Sequence, residues 1–198
     1  LSYTFAFVKG DAMTENTIAL NQAAHPLAPG SNVWLFGYGS LIHKVDFPYL
    51  ERKRASIAHW TRRFWQGSSD HRGTPEQPGR VVTLIAEAGA VCQGVAFLVS
   101  SDTFEHLDHR EKNGYLRLGI DIRFDDGNSV AGLVYIASAQ NRAWLGAASE
   151  ADIARHIATT SGPSGPNRDY LLHLAQALRD LGETDAHVFE IERQLLAL

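Results

Sequence analysis

Cysteine is almost absent from this 198-residue chain; Cys92 is the only one. A lone cysteine excludes an internal disulfide. Cys92 falls in an alternating strand pattern with no nucleophile signature around it, so it reads as a small buried hydrophobe. Excess positive charge is absent too. The net charge of −4 argues against a general nucleic-acid surface. No apolar run approaches the ~20 residues that a membrane-spanning helix needs. The first residues lack the basic segment, apolar core and small-residue cleavage site of a secretory signal. A cytoplasmic protein with no membrane and no nucleic-acid partner is expected. Methionine is as scarce as cysteine. The single Met13 reads as the native start, with residues 1–12 as an appended extension. There is no internal repeat, heptad array or low-complexity tract.

What remains is ordinary globular material, 44% hydrophobic and 20% charged, enough for one domain with a real core. Residues 1–32 read as a leader or linker: a short helix-like stretch, then Pro26, Pro29 and Gly30. Residues 33–198 read as a single domain. Strands are expected over Val33–Tyr38 and Ala55–Gln66. Gly67–Gly79 reads as a long loop, of a length often functional as a lid or a substrate rim. Arg80–Ile85 and Val91–Val99 look like two strands of a hairpin turned near Gly89. Ser101 or Asp102 is placed to cap a helix that ends at Asn113-Gly114. A second strand pair follows, Tyr115–Phe124 and Val130–Ala137, joined by a turn at Asp125–Asn128. Ser149 and Asp152 form a capping box for a helix through Ile153 and Ile157. Two further helices span Asn167–Leu181 and Ala186–Leu196. Strands first and helices last predict an α+β domain.

The chemistry concentrates at Val33-Trp-Leu-Phe-Gly-Tyr-Gly-Ser-Leu-Ile42. An apolar strand breaks there into Gly37-Tyr38-Gly39-Ser40. Two glycines let the backbone turn sharply and approach a ligand. Successive N–H groups of such a loop converge into a nest for a carboxylate or an oxyanion. A second string is Leu107-Asp-His-Arg-Glu-Lys-Asn-Gly-Tyr115. Read alone, it describes the charged end of a helix.

Together these strings resemble the ChaC-type gamma-glutamylcyclotransferases, which act on glutathione. Further matching stretches occur in the same order: Lys44–Tyr49, Arg62–Ser68, Asp70–Gly73, Pro78–Leu84 and Gly162–Gly165. The resemblance runs from about Val33 to the C-terminus. It implies a small mixed β-barrel flanked by helices, which pattern alone does not supply. It also implies a lyase with no cofactor and no metal, whose substrate is reduced glutathione. The family's catalytic glutamate falls on Glu111, within Arg110-Glu111-Lys112. Tyr38, Gly39, Ser40 and Leu41 then supply donors to the γ-glutamyl part, and Leu35, Phe36 and Gly37 shape the floor. Ser40 has no Gly-x-Ser-x-Gly elbow around it and is not an acyl-enzyme nucleophile. Tyr115 is a candidate wall of the site, with Tyr135 a weaker one. Arg72, and less so Arg80, is a candidate partner for the glycine carboxylate.

Three positions depart from the family pattern. His43 stands in place of tryptophan, Asn113 in place of glycine and Pro166 in place of arginine. His106, Asp108 and His109 have no companion pattern for a zinc site. Gly37 and Gly39 lack the third glycine of a dinucleotide loop. Arg62 and Arg63 beside Phe64 and Trp65 suggest a nucleic-acid strip, but with the acidic balance an aromatic strand with one polar face is the better reading. Two other readings compete: the same chemistry on another γ-glutamyl amino acid or amine, and a γ-glutamyl-binding module without turnover.

Overall fold

The strand that opens the domain, β1 (Asn32–Gly37), lies at the seam of a closed barrel. The computed structural model describes residues 16–198, so the expectation for Met13 lies outside the described residues. The other barrel strands are β2 (Glu51–Ser68), β3 (Gly79–Ser100), β4 (Tyr115–Phe124) and β5 (Ser129–Ala137). Their order is β1-β3-β2-β4-β5. All pairings are antiparallel except β1 with β5, which run parallel through Leu35↔Leu133 and Phe36↔Val134. That parallel contact closes the barrel and removes exposed sheet edges. The expected mixed barrel flanked by helices is the observed fold.

β2 and β3 are longer than their sequence patterns suggest, and one expectation is corrected. Arg80–Ile85 and Val91–Val99 are not two strands of a hairpin. They are the two ends of β3, and both pair with β2. The register breaks between Ala58↔Val91 and Trp60↔Ala86. His59 (φ 68°) and Gly89 (φ 84°) absorb this break in the left-handed region, so the strands kink without turning back. The bulge also reverses which side chains of β2 face inward. Before it, Ala55 and Ile57 are buried; after it, Arg62, Phe64 and Gln66 are. A one-residue slip flips every side chain to the other face.

Between β3 and β4 lies α2 (Thr103–Arg110), with Asp102 at its N-cap but no side-chain capping bond. After β5 come α3 (Glu150–Thr159), the short pair β6 (Ser161–Gly162) and β7 (Gly165–Pro166), then α4 (Asn167–Asp180) and α5 (Ala186–Leu196). Ser149 caps α3 by accepting from the Asp152 amide at 3.1 Å, as the capping box predicts. Asp185 caps α5 through the Val188 amide at 3.0 Å. Ile153, Ile157, Leu171, Leu174, Leu178, Val188 and Ile191 are all buried, so the three helices pack their apolar faces together. Each such side chain contributes roughly 1.5–3 kcal/mol by leaving water. Phe36, Phe64, Phe97, Ile57 and Ile122 belong to the same continuous core.

Ahead of the barrel, α1 (Ile18–Ala24) lies against the start of β4. The backbone amide of Thr17 donates to Lys112 O at 2.9 Å, and its hydroxyl contacts Lys112 O and Tyr115 O at 2.9 and 2.7 Å. Asn21 donates to Tyr115 O at 3.2 Å and accepts from the Arg117 amide at 2.8 Å. Among the described residues, no helix is long and apolar enough to cross a membrane.

Candidate active site

β1 delivers Tyr38 and Gly39 to one rim of the barrel, where a single 3₁₀ turn (Ser40–Ile42) starts. The end of α2 delivers Glu111 to the same rim. The two meet at a small recess lined by Phe36, Tyr38, Gly39, Ser40, Leu41, Val82, Glu111, Tyr115, Tyr135 and Tyr170. It adjoins an open cavity of about 480 Å³ that shares Ser40, Glu111, Tyr115 and Tyr170. That volume lies within the roughly 300–1,000 Å³ of small-ligand sites. Arg72, His43, Lys44, Asp70, His71 and Arg110 line its outer part.

Glu111 caps α2 and its side chain is only 16% exposed, with Oε1 3.3 Å from Arg110 Nε. Burial raises its pKa above the ordinary value. Arg110 opposes that shift, while Asp70 and Asp46 add to it. Arg110 fans out to three other acceptors. It donates to Ser40 Oγ at 2.8 Å, Asp46 Oδ1 at 2.5 Å and Lys44 O at 3.1 Å. Although burial opposes it, Arg110 and His106 hold the Asp46 carboxyl below its ordinary value.

Tyrosines wall the recess, with their hydroxyls engaged by the framework. Tyr115 donates to Val82 O at 2.7 Å, Tyr38 to Tyr135 O at 2.8 Å and Tyr135 to Asp108 Oδ1 at 2.6 Å. Tyr170 accepts from the Val82 amide at 3.4 Å. Burial raises the pKa of all four phenols. They remain neutral and keep the recess largely apolar around the carboxylate. The amides of Gly39, Ser40 and Leu41 have no hydrogen-bond partner among the described residues. A Cβ on Gly39 would lie 2.8 Å from Val82 Cγ2 and 3.1 Å from Tyr170 Oη, so glycine lets the loop press against both.

The structure brings Phe36, Tyr38, Gly39, Ser40, Leu41, Tyr115 and Glu111 to one recess, and Arg72 to the outer cavity. Leu35 and Gly37 line neither. Leu35 is fully buried, and a Cβ on Gly37 would lie 2.8 Å from Leu41 Cβ, beneath the loop. Arg80 is corrected as a carboxylate partner. Its guanidinium is buried against Phe64 O and Gly146 O at 2.9 Å and lines neither cavity. The expected loop shortens to residues 69–78 because β2 runs on to Ser68. Its members Asp70, His71 and Arg72 line the cavity, and His71 meets Ser164 Oγ at 3.0 Å.

Sequence reasoning missed Arg110, Asp46, Tyr170 and Arg62. Arg110 stands beside Glu111, and Asp46 and Arg62 lie in stretches that carry the resemblance, but nothing in those strings marked their contacts; Tyr170 carried no local signal. Cys92 is buried, and burial raises its thiol pKa. Asp108 turns inward to Tyr135, away from its exposed neighbours His106 and His109. Among the described residues, no group of three or more His, Cys, Asp or Glu side chains is placed to hold a metal ion.

A raised-pKa carboxylate that lines one recess with a loop whose amides are unpartnered among the described residues suits proton transfer at a carbonyl centre. The chain belongs to the ChaC-like protein family, whose profile matches residues 33–197. It is 46% identical over 176 residues to gamma-glutamylcyclotransferase 2-3 of Arabidopsis thaliana, covering 82% of this chain and 88% of that one. It is 45% identical over 184 residues to glutathione-specific gamma-glutamylcyclotransferase 1 of Danio rerio, covering 86% and 92%. Its fold matches the crystal structure of a yeast gamma-glutamyl cyclotransferase specific to glutathione, with a TM-score of 0.79 and 29% identity over 84% of this chain and 96% of that one.

Proposed function

We propose that this chain degrades reduced glutathione to 5-oxoproline and cysteinylglycine, with Glu111 as proton shuttle and the Tyr38–Leu41 loop as γ-glutamyl site. The observation that carries the reading is that Glu111 and the Gly39–Leu41 loop line one recess, with the loop amides unpartnered among the described residues. The named relatives agree with it.

Glu111 takes a proton from the substrate α-ammonium. The freed amine nitrogen attacks the γ-carbonyl carbon of the same molecule, closing a five-membered ring. Charge collects on the γ-oxygen, which the loop amides stabilise. The ring nitrogen gives up its second proton to solvent, and the carbon–nitrogen bond to cysteine breaks as Glu111 returns the first to the departing nitrogen, which leaves as an amine beside a neutral lactam. A raised pKa suits a group that must first accept and then donate. Because nucleophile and electrophile share one molecule, holding a curled conformer supplies much of the acceleration. Well-oriented intramolecular attack reaches effective molarities of roughly 10⁵–10⁸ M.

The outer cavity is wide enough for the cysteinylglycine portion, and Arg72 there offers a partner for its terminal carboxylate. The acidic balance of the chain speaks against a nucleic-acid partner, and glutathione chemistry fits a cytoplasmic setting.

The test is incubation with reduced glutathione and mass spectrometry of the products, beside a folded Glu111→Gln variant. Formation of 5-oxoproline that disappears in the variant supports reaction and shuttle. Binding without product would return the chain to the binding-module reading. Product from γ-glutamyl amino acids but not from glutathione would move the substrate.

A further inference from the structure

The loop that faces Glu111 is held from behind by Arg62, whose residue is 3% exposed. Its Nε donates to Tyr38 O at 2.6 Å, Nη2 to Gln93 O at 2.6 Å, and Nη1 pairs with Asp185 Oδ2 at 2.5 Å. Burying a guanidinium this deeply is costly without complete partnering. The three partners come from β1's end, β3 and the cap of α5. Arg62 therefore ties three separate elements to one fork.

We propose that Arg62 is a positioning residue for the oxyanion donor: by holding the Tyr38 carbonyl it aims the Gly39 amide into the recess that Glu111 faces. A trans peptide is planar, so its C=O and the following N–H point in opposite directions. Arg62 takes the Tyr38 oxygen on the barrel side. The Gly39 N–H of the same peptide is thereby turned to the other side, and it has no partner among the described residues. A positive charge on the carbonyl also polarises the peptide and strengthens its N–H as a donor, since linked hydrogen bonds reinforce one another. Asp185 holds the guanidinium while capping α5, so the helix end fixes the fork in place. The His59 bulge makes the arrangement possible, because the inward face switches there to the set that contains Arg62.

This inference rests on the cyclotransferase reading, and the test separates the two. Arg62→Gln and Arg62→Lys are compared with the unaltered chain on whichever γ-glutamyl compound that chain cyclises best. A failure of glutathione alone leaves the comparison intact. The expected result is a loss in kcat of about 10²-fold for Arg62→Gln, the scale of one oxyanion donor, with KM within about threefold. Arg62→Lys, which keeps the charge without the fork, falls between. Folded variants with unchanged kcat, or a loss confined to KM, overturn the proposal. A purely structural role would lower the melting temperature without this split. Should neither variant fold, the Glu111→Gln chain with Arg62 intact provides the measurement. Addition of the same compound to ¹⁵N-labelled protein is expected to move the Gly39 amide proton downfield and slow its exchange. An unmoved Gly39 amide overturns the proposal.

Discussion

Arg110 donates from Nη2 to Ser40 Oγ at 2.8 Å, so the residue beside Glu111 is tied to the glycine loop it faces. The same side chain pairs with Asp46 at 2.5 Å and lies 3.3 Å from Glu111. One guanidinium thus sets both the spacing of the two halves of the site and the charge felt by Glu111.

Arg110→Met removes the charge that opposes the raised pKa of Glu111. A base works only when deprotonated, so the acid limb of kcat/KM moves to higher pH. Steady-state profiles between pH 4 and 9, compared with the unaltered chain, read this directly. A limb that stays in place or moves down contradicts the electrostatic assignment.

Glu111→Gln is expected to lose activity by about 10²–10⁴-fold, the usual contribution of a general acid–base group, while gaining stability at neutral pH. The folded-state pKa of Glu111 is raised. Its contribution to stability is therefore full below the unfolded value and is lost as pH rises through the folded one. At pH 7 the buried charge is a burden that glutamine lacks. The melting temperature rises by about 2–4 °C for each kcal/mol recovered, and the advantage fades in acid. A variant that melts lower at pH 7 would count against burial of the charged form.

Gly39→Ala places a methyl group 2.8 Å from Val82 Cγ2 and 3.1 Å from Tyr170 Oη. The loop must shift, and its amides with it. Since misplacing one oxyanion donor costs about 10²-fold or more in kcat, activity should fall far more than stability. Circular dichroism melts beside initial rates separate the two; a normal rate would show that loop placement is slack.

Asn21→Leu leaves the Arg117 amide without its side-chain partner, while Tyr115 O loses one donor and keeps the Thr17 hydroxyl at 2.7 Å. Asn21 is 1% exposed, so water does not simply replace it. One orphaned buried amide of this kind costs about 1–3 kcal/mol. Urea denaturation should show a lower midpoint with an unchanged slope. An unchanged midpoint would mean that α1 contributes nothing to holding the turn after Glu111.

Much of this protein is local, and local features were legible. Tyr115–Phe124, its turn and its partner strand followed from alternation, because a half-buried antiparallel pair exposes every second residue. The Ser149 cap and the ends of the last two helices followed from side chains that reach only a few residues. Glu111 was legible through its string and its resemblance to a family, not through any physical sign of burial. The hairpin expected at Gly89 failed because a glycine flanked by two β-rich runs looks the same whether the chain turns back or kinks. Only pairing of both runs with β2 distinguishes the cases.

The residues by themselves determined the element types, the glycine break after the first strand and the position of the charged string around Glu111. These depend on backbone preference and side-chain periodicity within short windows. The tertiary structure decided the parallel β1–β5 closure, the inward turn of Arg62 after the His59 bulge and the meeting of Arg110 with Ser40. Each depends on register between segments far apart in sequence, and a shift of one residue there exchanges the buried face for the exposed one.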